Sequence, residues 1–229
     1  NFILGSFKTV DEVIAGLKTI TLVGSFIEDI QGEAPFHYAV TDATGRSVVV
    51  EYTKKGLQVF ENTVNVICNS PTYDWHLTNL RNYVNLTPNN SEGFSLNNNE
   101  YTALGEGTGM LGLPGDYTSP SRFVRATAFV NTALPCKDEE EGIFRAFHTL
   151  NAFDIPKGVV RQETKDKVFT DYTIWTSAVD TKNKKYYYKT YENQDIKELD
   201  LTEMLQKANG NIVTIDSEIH RDYESISKE

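Results

Sequence analysis

Hydrophobic positions near the start of the chain recur with the spacing of a helix. Thr9 and Glu12 have the separation of a capping box, which predicts that a helix begins after Thr9. Its buried stripe is predicted to consist of Val10, Val13, Ile14 and Leu17. The residues before Thr9 read as the end of another helix, so we expect residue 1 to lie inside a domain and not at a natural N-terminus.

Short β-branched and aromatic runs follow, and they predict an antiparallel meander. The runs are "FHYAVTD", "SVVVEY" and "LQVFEN", separated by glycine-containing turns at "ATG" and "KKG". We expect "VNVICN" to form a further strand that ends at Asn69. This arrangement differs from a series of βαβ units, which would place a helix between successive strands.

Three amphipathic stretches predict helices. They are "DWHLTNLRNYV", with Trp75, Leu80 and Val84 facing inward, "PSRFVRATAFVNTAL" and "EEEGIFRAFHTLNAF". A hairpin is predicted where "TDYTIWTSAVD" and "KKYYYKTYEN" flank "TKN", and we expect "DIKELDL" and "NIVTID" to extend its sheet. Strands, then helices, then strands predict an α+β fold with sheets and helices in separate layers.

Three connecting segments are long enough to matter for function. "TLVGSFIEDIQGEAP" is predicted to be a loop with exposed apolar side chains at Phe26, Ile27 and Ile30. The Asn-rich "NLTPNNSEGFSLNNNEY" exceeds most connections within a domain, which is typical of functional or interfacial loops. "GEGTGMLGLPGDYTSPSRF" lacks the strand–helix context of a dinucleotide site, so its glycines indicate turns.

The composition narrows the range of functions. The net charge of −10 repels phosphate backbones, so we expect no nucleic-acid partner. No apolar run approaches the roughly 18 residues of a membrane span, so no membrane partner is expected. The two cysteines and four histidines lack zinc spacing, so we expect no metal and no cofactor. A cytoplasmic location is predicted, because the cysteine usage suits a reducing compartment.

Candidate chemistry is concentrated in "ICNSPTYDWHLTNLRNY". Cys68 with Asp74 and His76 nearby suggests a thiol nucleophile and its base. However, Cys68 ends a predicted strand and no helix starts beside it, so the pattern favours a small apolar filler. His76 is interpreted as a half-buried structural histidine.

Asn69 and Arg122 are the stronger candidates. A polar amide at the end of an apolar strand needs a hydrogen-bond partner, and its NH2 group can donate to an oxyanion. Arg122 follows the turn-rich segment and either pairs with an acid or stabilises a thiolate. The residues alone leave a catalytic and a structural role open for both.

Four stretches resemble the choloylglycine hydrolase / penicillin V acylase family of N-terminal-nucleophile hydrolases. They are "CNSPTYDWHLTNLRNYVNLTP", "GEGTGMLGLPGDYTSPSRFVR", "DIPKGVV" and "TDYTIWTSAVDTKNKKYYYKTYEN", within a resemblance that runs from about Asn1 to Ile215. Within them, "TNLRNY", "IPKGVV" and "TDYTIWTSA" are more similar to the penicillin V acylase side than to bile salt hydrolases.

The resemblance implies an αββα sandwich of two antiparallel sheets between helical layers, and an enzyme that cleaves linear amide C–N bonds. An N-terminal cysteine would be the nucleophile, and penicillin V or glycine- and taurine-conjugated bile salts would be the substrates. The resemblance makes Asn69 an oxyanion-hole donor and places Arg122 near the thiolate. It makes Phe26, Ile27, Ile30 and Phe36 part of the substrate pocket.

The resemblance also implies what accompanies this chain. We expect residues 1–229 to be a single domain, the larger C-terminal part of a hydrolase whose N-terminal segment carries the cysteine. The Asn-rich loop is similar to a loop that reaches a neighbouring subunit, so a homotetramer is expected. Cys68 stands where relatives usually have Thr. The alternative function is a non-catalytic acidic assembly or binding domain that retains the fold.

Overall fold

The computed structural model describes residues 2–28, 32–33, 36–165 and 167–215, and these form two compact units that divide between Ala133 and Leu134. The helices and strands of the first unit are, in chain order, α1 (Phe2–Ser6), α2 (Val10–Leu17), β1 (Phe26–Ile27), β2 (Gly32–Glu33), β3 (His37–Thr41), β4 (Ser47–Thr53), β5 (Gly56–Glu61), α3 (Tyr73–Leu80), β6 (Phe94–Leu96), β7 (Asn99–Tyr101) and α4 (Ser119–Thr132).

The predicted meander is confirmed as the antiparallel sheet β3–β4–β5. Tyr38 lies opposite Val50, and Val50 lies opposite Val59. Because successive side chains of a strand point to opposite faces, the central strand β4 contributes side chains to two apolar clusters. Val48 and Val50 pack with α2, whereas Val49 packs with Tyr73 of α3 and Phe123 of α4. β4 is therefore buried on both faces.

The start of α2 is the one predicted. The Thr9 side chain accepts a hydrogen bond from the Glu12 amide at 3.2 Å, and the Glu12 carboxylate accepts one from the Thr9 amide at 3.3 Å. This reciprocal capping satisfies amide groups that a helix leaves unpaired at its start. Val10, Val13 and Leu17 are buried against the sheet, as their spacing predicts.

Two expectations around Asn69 are wrong. Residues 64–69 form no strand: the segment begins in a turn, with a positive φ of 56° at Asn65, and none of the described residues pairs with it in a ladder. The inward face of α3 also differs: Trp75 and Val84 are 44% and 83% exposed. The helix begins at Tyr73, so the positions at helical spacing from it lie inward instead: Tyr73, His76, Leu77 and Leu80.

The Asn-rich loop contains a short hairpin, β6–β7, which the sequence did not predict. Asn97 and Asn98 connect its strands with positive φ angles of 50° and 63°, a conformation that asparagine tolerates well. In the following segment the glycines form turns, as predicted. A Cβ on Gly109 would lie 2.0 Å from the Asn89 carbonyl oxygen, so only glycine permits this approach of the two backbones.

The second unit combines helices with antiparallel hairpins. Its elements are α5 (Glu139–Asn151), β8 (Val160–Glu163), β9 (Val168–Asp171), β10 (Trp175–Asp180), β11 (Lys185–Thr190), β12 (Lys197–Asp200) and α6 (Leu201–Ala208). The predicted α5 and the hairpin β10–β11 are confirmed, and β12 extends that sheet as expected.

Some predictions for the second unit are wrong. The hairpin β8–β9 and the helix α6 were not predicted, although Asp200 caps α6 by accepting from the amides of Thr202 and Glu203. "NIVTID" was expected to be a strand, but residues 211–215 form none and Asp216 lies outside the described residues. That the whole chain is one domain stays a prediction. Among the described helices, none has the length and apolarity needed to cross a membrane.

Candidate active site

Asn69 lies in the segment that leads into α3, and side chains from two helices contact its backbone. Its carbonyl oxygen accepts a hydrogen bond from Ser119 Oγ of α4 at 2.7 Å. The same oxygen lies 2.8 Å from Nε2 of His76 in α3. Asn69 is exposed, so its side chain is accessible while its backbone is fixed.

Arg122 orients the side chain of Asn69. Its Nη2 donates to Asn69 Oδ1 at 2.8 Å, and its Nε donates to the Tyr117 carbonyl oxygen at 3.0 Å. Because Oδ1 accepts from the Arg122 guanidinium, the NH2 group of Asn69 must point away from Arg122. Among the described residues, none accepts a hydrogen bond from that NH2 group. The structure therefore brings the two predicted catalytic residues, Asn69 and Arg122, into direct contact.

The start of α4, which presents Ser119 and Arg122, is fixed by Asp116. The Asp116 carboxylate accepts hydrogen bonds from Ser121 Oγ at 2.6 Å, from Thr118 Oγ1 at 2.5 Å and from the Thr118 amide at 2.9 Å. These donors, Ser121 foremost, favour the charged carboxylate and lower the pKa of Asp116 to about 2. The buried Arg125 adds hydrogen bonds to the carbonyl oxygens of Pro114 and Asp116.

The start of α3 is fixed by a buried acid. Glu51 of β4 accepts a hydrogen bond from the Tyr73 amide at 2.9 Å, and its carboxylate lies 2.9 Å from His37 Nδ1. The side chain of Thr72, the N-cap residue, makes no capping hydrogen bond to the helix. Helix α3 is thus capped by a residue of the sheet. The same helix carries His76, which contacts Asn69.

Cys68 is arranged as a packing residue. It is half-buried and packs against the apolar cluster that includes Val49, Tyr73 and Phe123. His76 contacts Asn69 through Nε2, and its Nδ1 is buried with no hydrogen-bond partner among the described residues. This pairing supports the interpretation of His76 as structural, although the ring is buried and not half-buried as predicted.

Three of the four predicted pocket residues lie in the described part of the chain, and they are apolar and exposed. Phe26 and Phe36 are each 65% exposed, and Ile27 is 37% exposed. Ile30 lies outside the described residues. In the described part of the chain, no hydrogen bond or ring contact connects Phe26, Ile27 or Phe36 to Asn69 or Arg122, so their role in binding substrate stays a prediction.

Sequence reasoning missed Ser119 as a partner of Asn69, and it gave no partner for His76. Ser119 and Asn69 are 50 positions apart, so no local pattern connects them. The available signal was indirect: a serine at the start of one helix and a histidine on the inward face of another.

Known proteins resemble this chain in sequence and in fold. A sequence model of the linear amide C–N hydrolases of the choloylglycine hydrolase family matches residues 1–214. The bile salt hydrolase/transferase of Clostridium perfringens is 40% identical over 201 residues, which cover 87% of this chain and 60% of that enzyme. A penicillin V acylase from Pectobacterium atrosepticum is 27% identical, over 87% of this chain and 51% of that protein.

A solved structure of a mutant conjugated bile acid hydrolase from C. perfringens superposes with a TM-score of 0.83. It is 36% identical, and the match covers 98% of this chain and 67% of that one. The predicted α+β fold, that of the αββα N-terminal-nucleophile hydrolases, is thereby confirmed. The chain belongs to the choloylglycine hydrolase family of linear amide C–N hydrolases.

Two further points follow from the comparisons. The chain spans about 60% of the length of the C. perfringens bile salt hydrolase. The identities are higher to that enzyme than to the Pectobacterium penicillin V acylase, so they do not support the lean towards penicillin V acylases that three sequence stretches suggested.

Proposed function

We propose that this chain is the larger part of a cysteine N-terminal-nucleophile hydrolase that cleaves linear amide C–N bonds. The observation that carries the proposal is the Asn69–Arg122 pair, in which a guanidinium occupies Oδ1 and leaves the NH2 group as a fixed donor. A fixed donor of this kind stabilises the charge that develops on a carbonyl oxygen during acyl transfer. The family membership supplies the class of reaction.

In the proposed reaction a thiolate attacks the amide carbonyl carbon. The nucleophile is an N-terminal cysteine in a segment that precedes residue 1 in the complete protein. The carbonyl oxygen becomes an oxyanion that accepts from the Asn69 NH2 group. The C–N bond then breaks, the amine leaves with a proton, and water hydrolyses the thioester to release the acid. Arg122 adds positive charge beside this site, which favours the thiolate over the thiol.

The proposed substrates join a bulky apolar acyl group to a polar amine, as in glycine- and taurine-conjugated bile salts and in penicillin V. Phe26, Ile27, Ile30 and Phe36 supply apolar contacts for the acyl group in this proposal. The exposed aromatic rings of Phe26 and Phe36 suit such a ligand. The 40% identity to a bile salt hydrolase supports conjugated bile salts as the first substrates to test.

The full-length protein tests this proposal. We expect hydrolysis of tauro- and glyco-conjugated bile salts, measured by released taurine or glycine, at a higher kcat/KM than for penicillin V. Replacing the first residue of the mature protein by alanine should abolish both reactions. A wild-type protein that is folded but hydrolyses neither substrate class, or whose mature first residue is not cysteine, contradicts the proposal.

We also propose a homotetramer in the cytoplasm, to which the β6–β7 hairpin contributes contacts. Phe94 and Leu96 are 64% and 56% exposed, and the rings of Phe94 and Tyr101 stack at 5.1 Å. An exposed apolar hairpin of this kind suits a second copy of the chain. Deletion within residues 89–99 should weaken the tetramer in size-exclusion chromatography with light scattering, and an unaltered tetramer would contradict the role of the hairpin.

A further inference from the structure

The main-chain carbonyl of Asn69 is clamped from two sides. Ser119 Oγ and His76 Nε2 lie 2.7 Å and 2.8 Å from its oxygen, and they belong to different helices. A carbonyl oxygen has two lone pairs, so these two donors saturate it. Because the oxygen can only accept, His76 must carry a hydrogen on Nε2. We call Ser119 and His76 the carbonyl clamp.

The histidine of the carbonyl clamp is itself immobilised. Its ring is 1% exposed and stacks on Phe123, with centroids 4.5 Å apart and planes 13° apart. Trp75 contacts the ring edge-on at 5.7 Å. The His76 Nδ1 is buried with no partner among the described residues, which makes the folded protein less stable than an apolar ring of the same shape would. The hydrogen bond from His76 to Asn69 is the contribution that an apolar ring could not make.

We propose that Ser119 and His76 are positioning residues that set the direction of the Asn69 amide for hydrolysis. The carbonyl clamp holds the backbone carbonyl of Asn69, and Arg122 holds its Oδ1. Three donors thus fix the positions of both the backbone and the side-chain amide. This inference rests on the function proposed above. Since a preorganised donor acts on the transition state, loss of the clamp lowers kcat and leaves KM unchanged.

Two matched pairs of variants in the full-length protein test the clamp. His76→Phe keeps the stacking ring without a donor, and His76→Gln restores an N–H donor. Ser119→Ala removes the hydroxyl, and Ser119→Thr keeps it. We expect kcat to fall about 10-fold for His76→Phe and roughly 3-fold for Ser119→Ala, because small misplacements of a catalytic group have effects of this order or larger. The Gln and Thr variants should recover most of the loss.

Thr132→Val is the control within the same helix. The Thr132 hydroxyl donates to the Ala128 carbonyl oxygen at 2.7 Å, so the change removes a comparable hydrogen bond from α4 far from Asn69. Its kcat should equal that of the wild type within about 2-fold, since substitutions away from the residues that carry a function usually have small effects.

The decisive readout is the dependence on Asn69. If the clamp acts through this residue, His76→Phe and Ser119→Ala should have no further effect on kcat in an Asn69→Ala background. A merely structural role would lower kcat equally in both backgrounds. Equal losses in both backgrounds therefore overturn the proposal, even if activity falls.

The remaining outcomes separate the clamp from the proposed function. An active wild type whose Ser119→Ala and His76→Phe variants keep kcat within about 2-fold overturns the clamp alone. A folded wild type without hydrolytic activity overturns the proposed function, and the positioning role falls with it. If His76→Phe does not fold, as judged by circular dichroism, the Ser119 pair decides the question.

Discussion

The two parts of the proposed site are held in different ways. Asn69 and Arg122 are exposed or half-buried, but each is anchored by hydrogen bonds to elements that reach the core. Phe26 and Phe36 are largely exposed, and the short β1–β2 pairing beside them is only two residues long on each strand. A group that stabilises a transition state needs fixed geometry, whereas an apolar contact for an acyl group gains its energy from area. The comparison predicts that changes in the first part alter kcat and changes in the second alter KM.

The largest effect is expected for Asn69→Ala. Loss of the oxyanion donor should lower kcat about 10²-fold or more, with KM nearly unchanged. Asn82→Ala, at an exposed position whose side chain donates to Asn79 Oδ1, is the matched control and should retain activity. Steady-state kinetics of the full-length protein would measure both. An unchanged kcat for Asn69→Ala would remove this residue from the site.

A smaller and different effect is expected for Phe26→Ala. Removing this exposed ring takes apolar contact area from the substrate, so KM should rise roughly 5-fold while kcat stays close to the wild-type value. Phe169→Ala, which removes a ring that is 47% exposed in the second unit, should leave KM unchanged. A fall in kcat without a change in KM would show that Phe26 belongs with the fixed part of the site.

The stability that Asp116 contributes at the start of α4 should depend on pH. Hydrogen bonds from Ser121 and Thr118 lower the pKa of Asp116 to about 2, below its ordinary value of 3.8. The folded protein therefore favours the ionised carboxylate, and this contribution is complete above about pH 5 and is lost as pH falls towards 2.

Asp116→Asn tests this dependence. We expect its Tm to lie about 2 °C below the wild-type value at pH 7, since the carboxylate is exposed and its hydrogen bonds are screened by water. The difference should shrink as pH falls below about 5, in differential scanning fluorimetry across that range. A difference that grows on acidification would contradict the assignment.

The smallest effect is expected for Cys68→Thr. The side chain only fills space beside the apolar cluster, so kcat should stay within about 2-fold of the wild-type value. Cys68→Ser should behave similarly. Complete loss of activity in both variants would mean that Cys68 takes part in the reaction.

The elements that sequence predicted well are those whose signals are local. The capping box at Thr9 and the turn around "TKN" lie within a few residues of the elements they define. The segment before Asn69 was predicted as a strand because its side chains suit one, but a strand also needs a partner strand, which composition does not reveal. The helix α6 was missed because strand-like residues surround its only clear signal, the cap at Asp200.

In the candidate site, too, local signals identified single residues but not the contacts between them. Asn69 and Arg122 could be singled out one at a time, from a polar residue after an apolar run and from a cation after a turn. Their contact spans 53 positions, and the Ser119 contact spans 50, so neither follows from periodicity. The capping of α3 by Glu51 across 22 positions is likewise a tertiary event.

Glu51 has a second consequence, for the alignment of strands. Val48, Val49 and Val50 are all fully buried, and three identical residues in a row cannot distinguish one pairing from another shifted by a single position. Glu51 removes that ambiguity, because a shift of one would turn its carboxylate from the Tyr73 amide towards the apolar face of α2. Burial of an unpaired carboxylate is strongly unfavourable. One acidic side chain thereby selects a single register for the central strand.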